Sequence, residues 1–333
     1  MKKKIILLLL AITLLAGCAL QPSPISQQAL YLDTIIQITV YRAKDQDAVK
    51  GALELCEQYD NLLSKTKEGS DIYRINHAQG EKVEIQPQTA EVIEKALEYG
   101  KLSMGCFDIT IGSVNDLWDF KAELPTLPDE EQLQQAVQTV DYRQVELTEE
   151  NGKYYCRVPN GVQIDLGGIA KGYIGDRMSD YMREQGVENA LLDLGGNIVT
   201  IGDKNGKKYH IGVRSPFQED QAMATMDVKD TNVVTSGTYE RFIEVDGERY
   251  HHILDPSTGY PAETGIASVT IISDEGATAD ALSTACFVMG EQDGLALVES
   301  IPNAQCIFIM EGGEIITSSG VSEYSFQRIE EQA

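Results

Sequence analysis

Residues 165–172 combine glycines and a lysine in a way that suits an anionic ligand. Asp165 is followed by Leu and two glycines, and Lys171 comes three residues later, where a strand pattern gives way to a helix pattern. Backbone N–H groups at such a junction and the helix dipole favour a phosphate group. The glycine spacing matches neither a P-loop nor a dinucleotide-binding fingerprint, and no Ser or Thr follows Lys171. The segment therefore indicates a phosphate site of another type, with a tight turn before a helix as the alternative.

Two of the four histidines stand side by side in residues 249–261. His251 and His252 lie between a strand pattern and an Asp-Pro turn. Successive side chains of a strand point to opposite faces, so only one of the two can face a given site. The pair alone is not a metal-binding signature. It marks one candidate site residue, with a packed or surface histidine as the alternative.

A carboxylate and a hydroxyl share one helix face in residues 276–285. Asp280 and Thr284 are four residues apart, which places them one turn from each other. Their oxygens suit a hard cation, and Mg²⁺ commonly takes few protein ligands together with substrate phosphates. The pair predicts a cation site, with a satisfied cap or a surface pair as the alternative.

An aromatic residue lies in the glycine-bounded segment 105–112. Phe107 in a strand-like turn could stack on a flat ring, and a plain core strand explains the segment equally well. Trp118 is the single tryptophan, and we expect it in the core.

The elements that must position these residues mix helices and strands without a βαβ rhythm. Apolar periodicity predicts helices over residues 46–64, 89–104, 129–140, 169–185 and 277–289. Alternating β-branched patterns predict strands around residues 31–42, 145–147, 154–158, 190–194, 209–213, 224–228, 242–245, 266–272, 306–310 and 315–317, and residues 70–76 are expected to be a loop. This order favours an α+β fold with a largely antiparallel sheet over a doubly wound fold.

One sequence element occurs twice. Residues 164–168 and 192–196 both have a strand that ends in Asp-Leu-Gly-Gly. Two copies do not make a repeat protein.

The chemical segments, taken in order, resemble the ApbE family of FAD:protein FMN transferases. The resemblance runs from about residue 31 to residue 290 and is carried by GCFDITIG, DLGGIAKGY, VTSGTYERF, YHHILDPSTGYP and ADALSTA. It implies an ApbE-like, T-fold-like α+β domain over residues 29–333, with a mixed, largely antiparallel sheet flanked by helices.

The resemblance also implies roles for single residues. Mg²⁺ would be held by the side chains of Asp280 and Thr284 and by the carbonyl of Gly168. His252 would be the essential histidine that activates the acceptor hydroxyl, and Asp280 would share the catalytic role. The residues implied for FAD binding are Leu32, Cys106, Phe107, Asp108, Asp165, Lys171 and Ile253. Leu32-Asp33-Thr34 stands where the family has Met-Gly-Thr, and Cys106 replaces a small residue, so these two positions depart from the family pattern.

The implied reaction is the Mg²⁺-dependent transfer of FMN from FAD to a Thr or Ser hydroxyl of an acceptor flavoprotein, with release of AMP. The acceptor would be a membrane redox subunit or an extracytosolic electron-transfer protein. Two alternatives stay open: a Mg²⁺-dependent FAD pyrophosphatase that yields FMN and AMP, and a non-catalytic flavin-binding lipoprotein.

The N-terminus predicts export and a lipid anchor. Three lysines precede an apolar run over residues 5–15, which is too short to cross a bilayer that needs about 20 residues. Leu-Ala-Gly-Cys resembles the bacterial lipobox, so we expect residues 1–17 to be a signal peptide and Cys18 to be lipidated. Residues 18–28 would be a tether on the extracytoplasmic face of the cell membrane. An ordinary cleaved signal with an incidental cysteine is the alternative.

The net charge limits the kinds of partner, and the cysteine spacing indicates the state of the thiols. A formal net charge of −25 argues against nucleic acid and against an anionic membrane surface as partners. A polyanionic ligand would therefore need a local cation. The five cysteines after Cys18 have no CxxC pair, and we expect buried, inert thiols.

Overall fold

The computed structural model describes residues 24–122, 124–204 and 206–329. The predicted signal peptide and Cys18 lie outside these residues. The helices are α1 (Gln46–Leu63), α2 (Asp71–Asn76), α3 (Pro87–Leu102), α4 (Gly112–Trp118), α5 (Glu130–Val137), α6 (Ala170–Glu184), α7 (Gly276–Met289) and α8 (Glu291–Ser300). Across the described ranges, no helix is both long and apolar enough to cross a membrane.

The strands belong to one large sheet and three small ones. They are β1 (Ile25–Tyr31), β2 (Thr34–Val40), β3 (Val83–Ile85), β4 (Glu146–Glu150), β5 (Lys153–Arg157), β6 (Ala190–Leu194), β7 (Asn197–Ile201), β8 (Tyr209–Arg214), β9 (Ala222–Val228), β10 (Asn232–Gly237), β11 (Phe242–Val245), β12 (Glu248–His251), β13 (Ile266–Ser273), β14 (Ala304–Met310), β15 (Ile315–Thr317) and β16 (Gln327–Arg328). The large sheet has the order β1-β2-β6-β7-β10-β13-β14-β15, and its pairs are antiparallel. The expected α+β fold with a largely antiparallel sheet is confirmed.

Both faces of the large sheet are covered, which explains its most apolar strand. All eight residues of β13 are buried. Ile271 packs in the core on the helix side of the sheet, whereas its neighbour Ile272 packs in a second core. That second core lies against the small sheet β16-β9-β8, with Met226 among its buried residues. Because a strand alternates faces, a strand buried on both sides has a continuous apolar pattern.

A third, smaller core surrounds the single tryptophan. Trp118 at the end of α4 is buried as predicted, and it packs near Leu133 of α5 and Ile243 of β11. Its Nε1 donates a hydrogen bond of 2.7 Å to the carbonyl of Gly259. This core fixes α4 and α5 against the β11–β12 hairpin that precedes His252.

The structure corrects three local predictions. Residues 70–76 were expected to be a loop, but Asp71–Asn76 is a helix whose N-terminus is capped by the Ser70 hydroxyl, which accepts from Tyr73 N at 2.9 Å. Residues 105–112 do not contain the suggested strand; they form turns that lead into α4. The strand predicted at 31–42 is one arm of a hairpin, and its partner β1 begins at Ile25, inside the predicted tether of residues 18–28.

The cysteines are buried or half-buried, in agreement with the expected inert thiols. Cys56, Cys156, Cys286 and Cys306 are buried and Cys106 is half-buried. Burial raises the pKa of Cys56 and of Cys156 to about 12. Between the cysteines of the described residues there is no disulfide.

Candidate active site

The close crossing of α6 and α7 positions Asp280. A Cβ on Gly172 of α6 would lie 2.1 Å from the carbonyl oxygen of Gly276 and 2.8 Å from Cβ of Asp280. Since glycine carries no Cβ, the two helices can approach this closely. The N–H of Gly172 donates to Asp280 Oδ2 at 2.9 Å. The glycine thus both permits the contact and holds one oxygen of the carboxylate.

The three residues implied as cation ligands lie together. Asp280 is 2% exposed, and Thr284 follows one helical turn later. A Cβ built on Gly168 would lie 3.4 Å from Thr284 Oγ1 and 3.0 Å from the ring of Phe107. The glycine-rich turn therefore runs directly past the hydroxyl of Thr284 and the aromatic ring.

This oxygen set fits a hard cation that takes few protein ligands. The backbone N–H of Gly172 occupies Oδ2 of Asp280, while Oδ1 has only a long contact of 3.4 Å with Lys171 Nζ. In the described part of the chain, no group of three or more His, Cys, Asp or Glu residues could hold a metal. One carboxylate, one hydroxyl and one carbonyl agree with Mg²⁺, which keeps several positions for water or phosphate.

The carboxylate of Asp165 sets the conformation of the glycine-rich turn. Its Oδ1 accepts from Gly167 N at 2.8 Å, and its Oδ2 lies 3.0 Å from Lys65 Nζ and 3.0 Å from Asn115 Nδ2. Burial acts to raise the pKa of Asp165, but the Lys65 charge and these hydrogen bonds outweigh it, so that the pKa is lowered. Asp165 is therefore an ionised, fully engaged group that shapes the turn.

Asp108 has a similar structural task in the loop that carries Cys106 and Phe107. Its carboxylate accepts from Thr110 N at 2.8 Å, from Thr110 Oγ1 at 2.6 Å and from Tyr142 N at 2.8 Å. Burial raises its pKa. The side chain holds the loop together, and a direct contact with FAD stays a prediction for Asp108 as for Cys106.

His252 is held in one tautomer with a free nitrogen. Its Nδ1 lies 3.0 Å from the carbonyl oxygen of Arg241. A carbonyl only accepts, so Nδ1 carries the proton and Nε2 keeps its lone pair. Burial lowers the pKa of His252 to about 4, and the charges of Arg241 and Lys171 act in the same direction. Nε2 has no hydrogen-bond partner among the described residues, so the side chain is a neutral imidazole that can accept a proton.

His251 takes the opposite side, as the strand geometry predicts. Its ring packs edge-on against Phe287 with centroids 5.3 Å apart, and its Nδ1 accepts from Ile253 N at 3.3 Å. Ile253 is itself 4% exposed, and its carbonyl accepts from Ala262 N at 3.0 Å. Of the two histidines, His252 is therefore the one available for chemistry.

Leu32 lies in the turn between β1 and β2. Leu32 and Asp33 have positive φ angles of 55° and 57°, which is uncommon for residues with side chains. Asp33 forms an ion pair of 2.7 Å with Lys121, next to Phe120, whose ring lies edge-on to His252. The hairpin turn is thereby joined to the segment beside His252, and a contact between Leu32 and FAD stays a prediction.

Two polar residues near Lys171 had no role in the sequence-based predictions. Asn197 Oδ1 accepts from Lys171 Nζ at 2.9 Å. Glu240 reaches solvent, yet protein packed around its carboxylate raises its pKa to about 7; Lys171 lowers this value and Asp280 raises it. The VTSGTYERF segment contains Glu240, but motif order alone does not show which of its residues turns toward Lys171.

A groove of about 680 Å³ lies elsewhere, between α1, α3 and β4–β5. Tyr59, Glu91, Glu94, Tyr154 and Arg177 line it, and none of the predicted site residues does. Its size alone does not make it the site of the chemistry.

Comparisons with known proteins agree with the resemblance seen in the sequence. The model of the ApbE family matches residues 32–308. An FAD:protein FMN transferase of Treponema pallidum is 34% identical over 315 residues, which are 89% of this chain and 87% of that protein. Another from Klebsiella pneumoniae is 34% identical, over 88% of this chain and 92% of its own length. Among solved structures, an ApbE protein of Thermotoga maritima has a TM-score of 0.83 at 37% identity and is covered to 99%, with 91% of this chain. The flavin transferase ApbE of Vibrio cholerae has a TM-score of 0.80 at 27% identity, with the same coverage of both chains.

Proposed function

This chain belongs to the ApbE family of FAD:protein FMN transferases, and we propose that it moves the FMN half of FAD onto a Thr or Ser hydroxyl of an acceptor flavoprotein with the help of Mg²⁺. AMP is the second product. The observation that carries this proposal is the assembly of the Asp280 carboxylate, the Thr284 hydroxyl, the Gly168 turn and the Lys171 ammonium, whose charge also acts on the neutral His252.

A cation held by the oxygen cluster and the Lys171 ammonium would supply the positive charge that an acidic chain needs to bind a pyrophosphate. Asp280, Thr284 and the Gly168 carbonyl would hold Mg²⁺, which neutralises phosphate charge and stabilises the AMP that leaves. Lys171 lies 3.4 Å from Asp280 Oδ1, close enough to contact a phosphate bound at the same place. The chain thus overcomes its formal net charge of −25 locally.

His252 takes the proton of the acceptor hydroxyl. The hydroxyl oxygen forms a bond to the FMN phosphorus, the bond from that phosphorus to the bridging oxygen breaks, and AMP leaves with the electron pair. The hydroxyl proton moves to Nε2 of His252, which is the nitrogen left free by the hydrogen bond to Arg241. A neutral imidazole is needed at the start, and the lowered pKa of His252 supplies it.

The test is a mass spectrum of an acceptor domain after incubation with FAD, Mg²⁺ and the full chain. We expect the acceptor to gain the mass of FMN less water, and Asp280→Ala to abolish the gain. Free FMN without a modified acceptor would show the pyrophosphatase instead. The absence of any turnover would leave only a flavin-binding lipoprotein.

We also propose that the enzyme works outside the cytoplasm, anchored through lipidated Cys18. Support comes from the sequence pattern of residues 1–18 alone. The acceptor would then be a membrane redox subunit or an extracytosolic electron-transfer protein, because only these can be reached from that position.

A further inference from the structure

The second Asp-Leu-Gly-Gly turn lies in the same site as the first. Asp193 Oδ1 accepts from Gly195 N at 3.0 Å and from Gly196 N at 3.2 Å, as Asp165 does from Gly167 in the first turn. A Cβ on Gly196 would lie 3.4 Å from Glu240 Oε1. The turn leads into β7, whose first residue is Asn197.

Asn197 is buried and only half satisfied. It is 1% exposed, its Oδ1 accepts from Lys171 Nζ at 2.9 Å, and its buried Nδ2 has no partner within residues 24–122, 124–204 and 206–329. Since Lys171 only donates, this contact fixes which end of the amide is oxygen. A buried donor without a partner is destabilising, and an apolar residue at the start of β7 would avoid it. The amide is therefore kept for its oxygen, that is, for its hold on Lys171.

Asn197 competes with Asp280 for the same ammonium. Lys171 Nζ lies 2.9 Å from the neutral oxygen of Asn197 but 3.4 Å from the charged Oδ1 of Asp280. Charge-assisted hydrogen bonds normally have lengths of about 2.7–2.9 Å. The Lys171–Asp280 pair is therefore loose, although the two side chains lie side by side. With the amide drawing the ammonium away, Oδ1 of Asp280 keeps its lone pairs.

We propose that Asn197 is a positioning residue that holds the Lys171 ammonium off Asp280. It keeps two opposite charges available side by side, the carboxylate for the cation and the ammonium for the pyrophosphate. A lysine free to close on Asp280 would neutralise the carboxylate and repel the cation. This inference rests on the proposed function, because it concerns the cation that the same site would hold.

The experiment measures Mg²⁺ binding to the full chain by calorimetry in the presence of ADP, whose diphosphate stands in for the pyrophosphate of FAD, and the heat of Mg²⁺ binding to ADP alone is subtracted. We expect Asn197→Leu to weaken Mg²⁺ binding about tenfold, the lower end of what an adjacent charge does to the binding of a proton. The matched control is Asn189→Leu. Asn189 precedes β6, near the end of β7 opposite to Asn197, and its amide donates to the carbonyl of Asp203 at 2.6 Å. We expect its Mg²⁺ affinity to stay within about twofold of the unaltered chain.

A second arm separates positioning from a merely structural role. In a Lys171→Met background no ammonium competes for Asp280, so adding Asn197→Leu should change Mg²⁺ binding less than about twofold. A structural role predicts the same tenfold loss with or without Lys171. If Asn197→Leu does not fold, Asn197→Ala is measured instead, both alone and in the Lys171→Met background.

Three results would overturn the proposal: unaltered Mg²⁺ binding in Asn197→Leu, a loss that persists in the Lys171→Met background, or no Mg²⁺ binding by the unaltered chain. Failure of the proposed function is detected by a different measurement, the modification of the acceptor. In that case the unaltered chain leaves the acceptor unmodified, whereas the calorimetric comparison still decides the role of Asn197.

Discussion

At the scale of a residue, one hydrogen bond sets the tautomer of His252. The carbonyl of Arg241 holds the proton on Nδ1, and burial keeps the ring neutral. Neither property is visible in the segment YHHILDP, because both depend on the β11–β12 hairpin that brings Arg241 back to the ring.

Replacing His252 by Ala should lower kcat for acceptor flavinylation by about 10²–10⁴-fold, the usual contribution of a general base. FAD affinity should stay within about twofold, since the imidazole would act on the acceptor hydroxyl and not on FAD. Single-turnover rates and flavin fluorescence titrations measure the two quantities.

His210→Ala is the matched control, because His210 lies on β8 and is mostly exposed. It should leave both the rate and the FAD affinity unchanged. An equal loss of rate in both variants would remove His252 from the mechanism.

The pH profile should show an acid limb near 4 and not near 6.5. Protonation puts a hydrogen on Nε2 and removes the base, so activity is lost as pH falls through the pKa of the folded enzyme, about 4. Between pH 5 and 6.5 the rate should therefore be maintained. Glu240, whose pKa is about 7, also titrates in this region, so the profile is measured in Glu240→Gln as well. A limb that stays near 6.5 in this variant contradicts the neutral imidazole.

Sequence patterns could predict the residues that act within one element but not those that act between elements. Asp280 and Thr284 could be paired in advance because one helix carries both. Asn197 could not, since its partner Lys171 is 26 residues away and the contact needs α6 to pack on β7. Asp108 and Asp165 were predicted to bind FAD, which stays a prediction, and the structure shows that their oxygens are engaged by the protein.

At the scale of elements, the crossing of α6 and α7 determines the site. Gly172 and the backbone of Gly276 touch, and Asp176 of α6 accepts from the first two N–H groups of α7, Gly276 at 2.7 Å and Ala277 at 2.9 Å. These contacts join the two helices at the start of α7, one turn before Asp280, whose carboxylate lies near Lys171.

Gly172→Ala should lower the free energy of unfolding by about 1–3 kcal/mol, because its Cβ meets a backbone carbonyl that no rotamer change can move. Metal affinity should fall with it, as the helices separate. Urea unfolding and Mg²⁺ calorimetry are the measurements.

Gly312→Ala is the control, since a Cβ there meets nothing within 4 Å. It should change stability by less than about 0.5 kcal/mol. Equal effects of the two substitutions would mean that the helix crossing is not tightly packed.

Periodicity predicted the long elements and several short strands, such as those at 190–194 and 242–245, but it missed other short elements. The helices near 46–64 and 277–289 were confirmed because each spans several turns. The helix Asp71–Asn76 has only six residues and depends on the Ser70 cap. A segment this short and polar shows no clear helical period, so its sequence predicts a loop. Strand β10 was missed because its sequence, NVVTSG, carries polar residues. In the fold these residues find partners on neighbouring elements: Thr235 hydrogen-bonds to Thr270 of β13 at 2.8 Å and Ser236 to Ser283 of α7 at 2.7 Å.

At the scale of the whole molecule, a strongly acidic chain places three of its lysines around the candidate site. Lys65 and Lys171 face the glycine-rich turn and the predicted cation ligands, and Lys121 lies beside Phe120 at its edge. A negative surface repels unspecific polyanions, and Lys171 together with a bound cation would let this site admit one pyrophosphate.

Cys18→Ala should move the enzyme from the membrane fraction to the soluble exported fraction, because the thiol that would carry the lipid is gone. Activity of the purified protein should be unchanged. Fractionation and the mass of the mature N-terminus measure the outcome.

Cys156→Ala, which removes a buried thiol of β5, is the control and should remain in the membrane fraction. Retention of the Cys18→Ala protein at the membrane would contradict the anchor.

The early start of β1 sets how far such an anchored enzyme can work from the bilayer. Only residues 19–24 separate Cys18 from Ile25, and six extended residues reach at most about 20 Å. The seven residues of β1 add about 23 Å and end at the hairpin turn. That turn is joined to the segment beside His252 by the ion pair of Asp33 and Lys121. The hairpin turn beside the reactive centre would thus lie no more than about 45 Å above the lipid surface. An acceptor hydroxyl carried far above that height would be out of range, whatever its sequence.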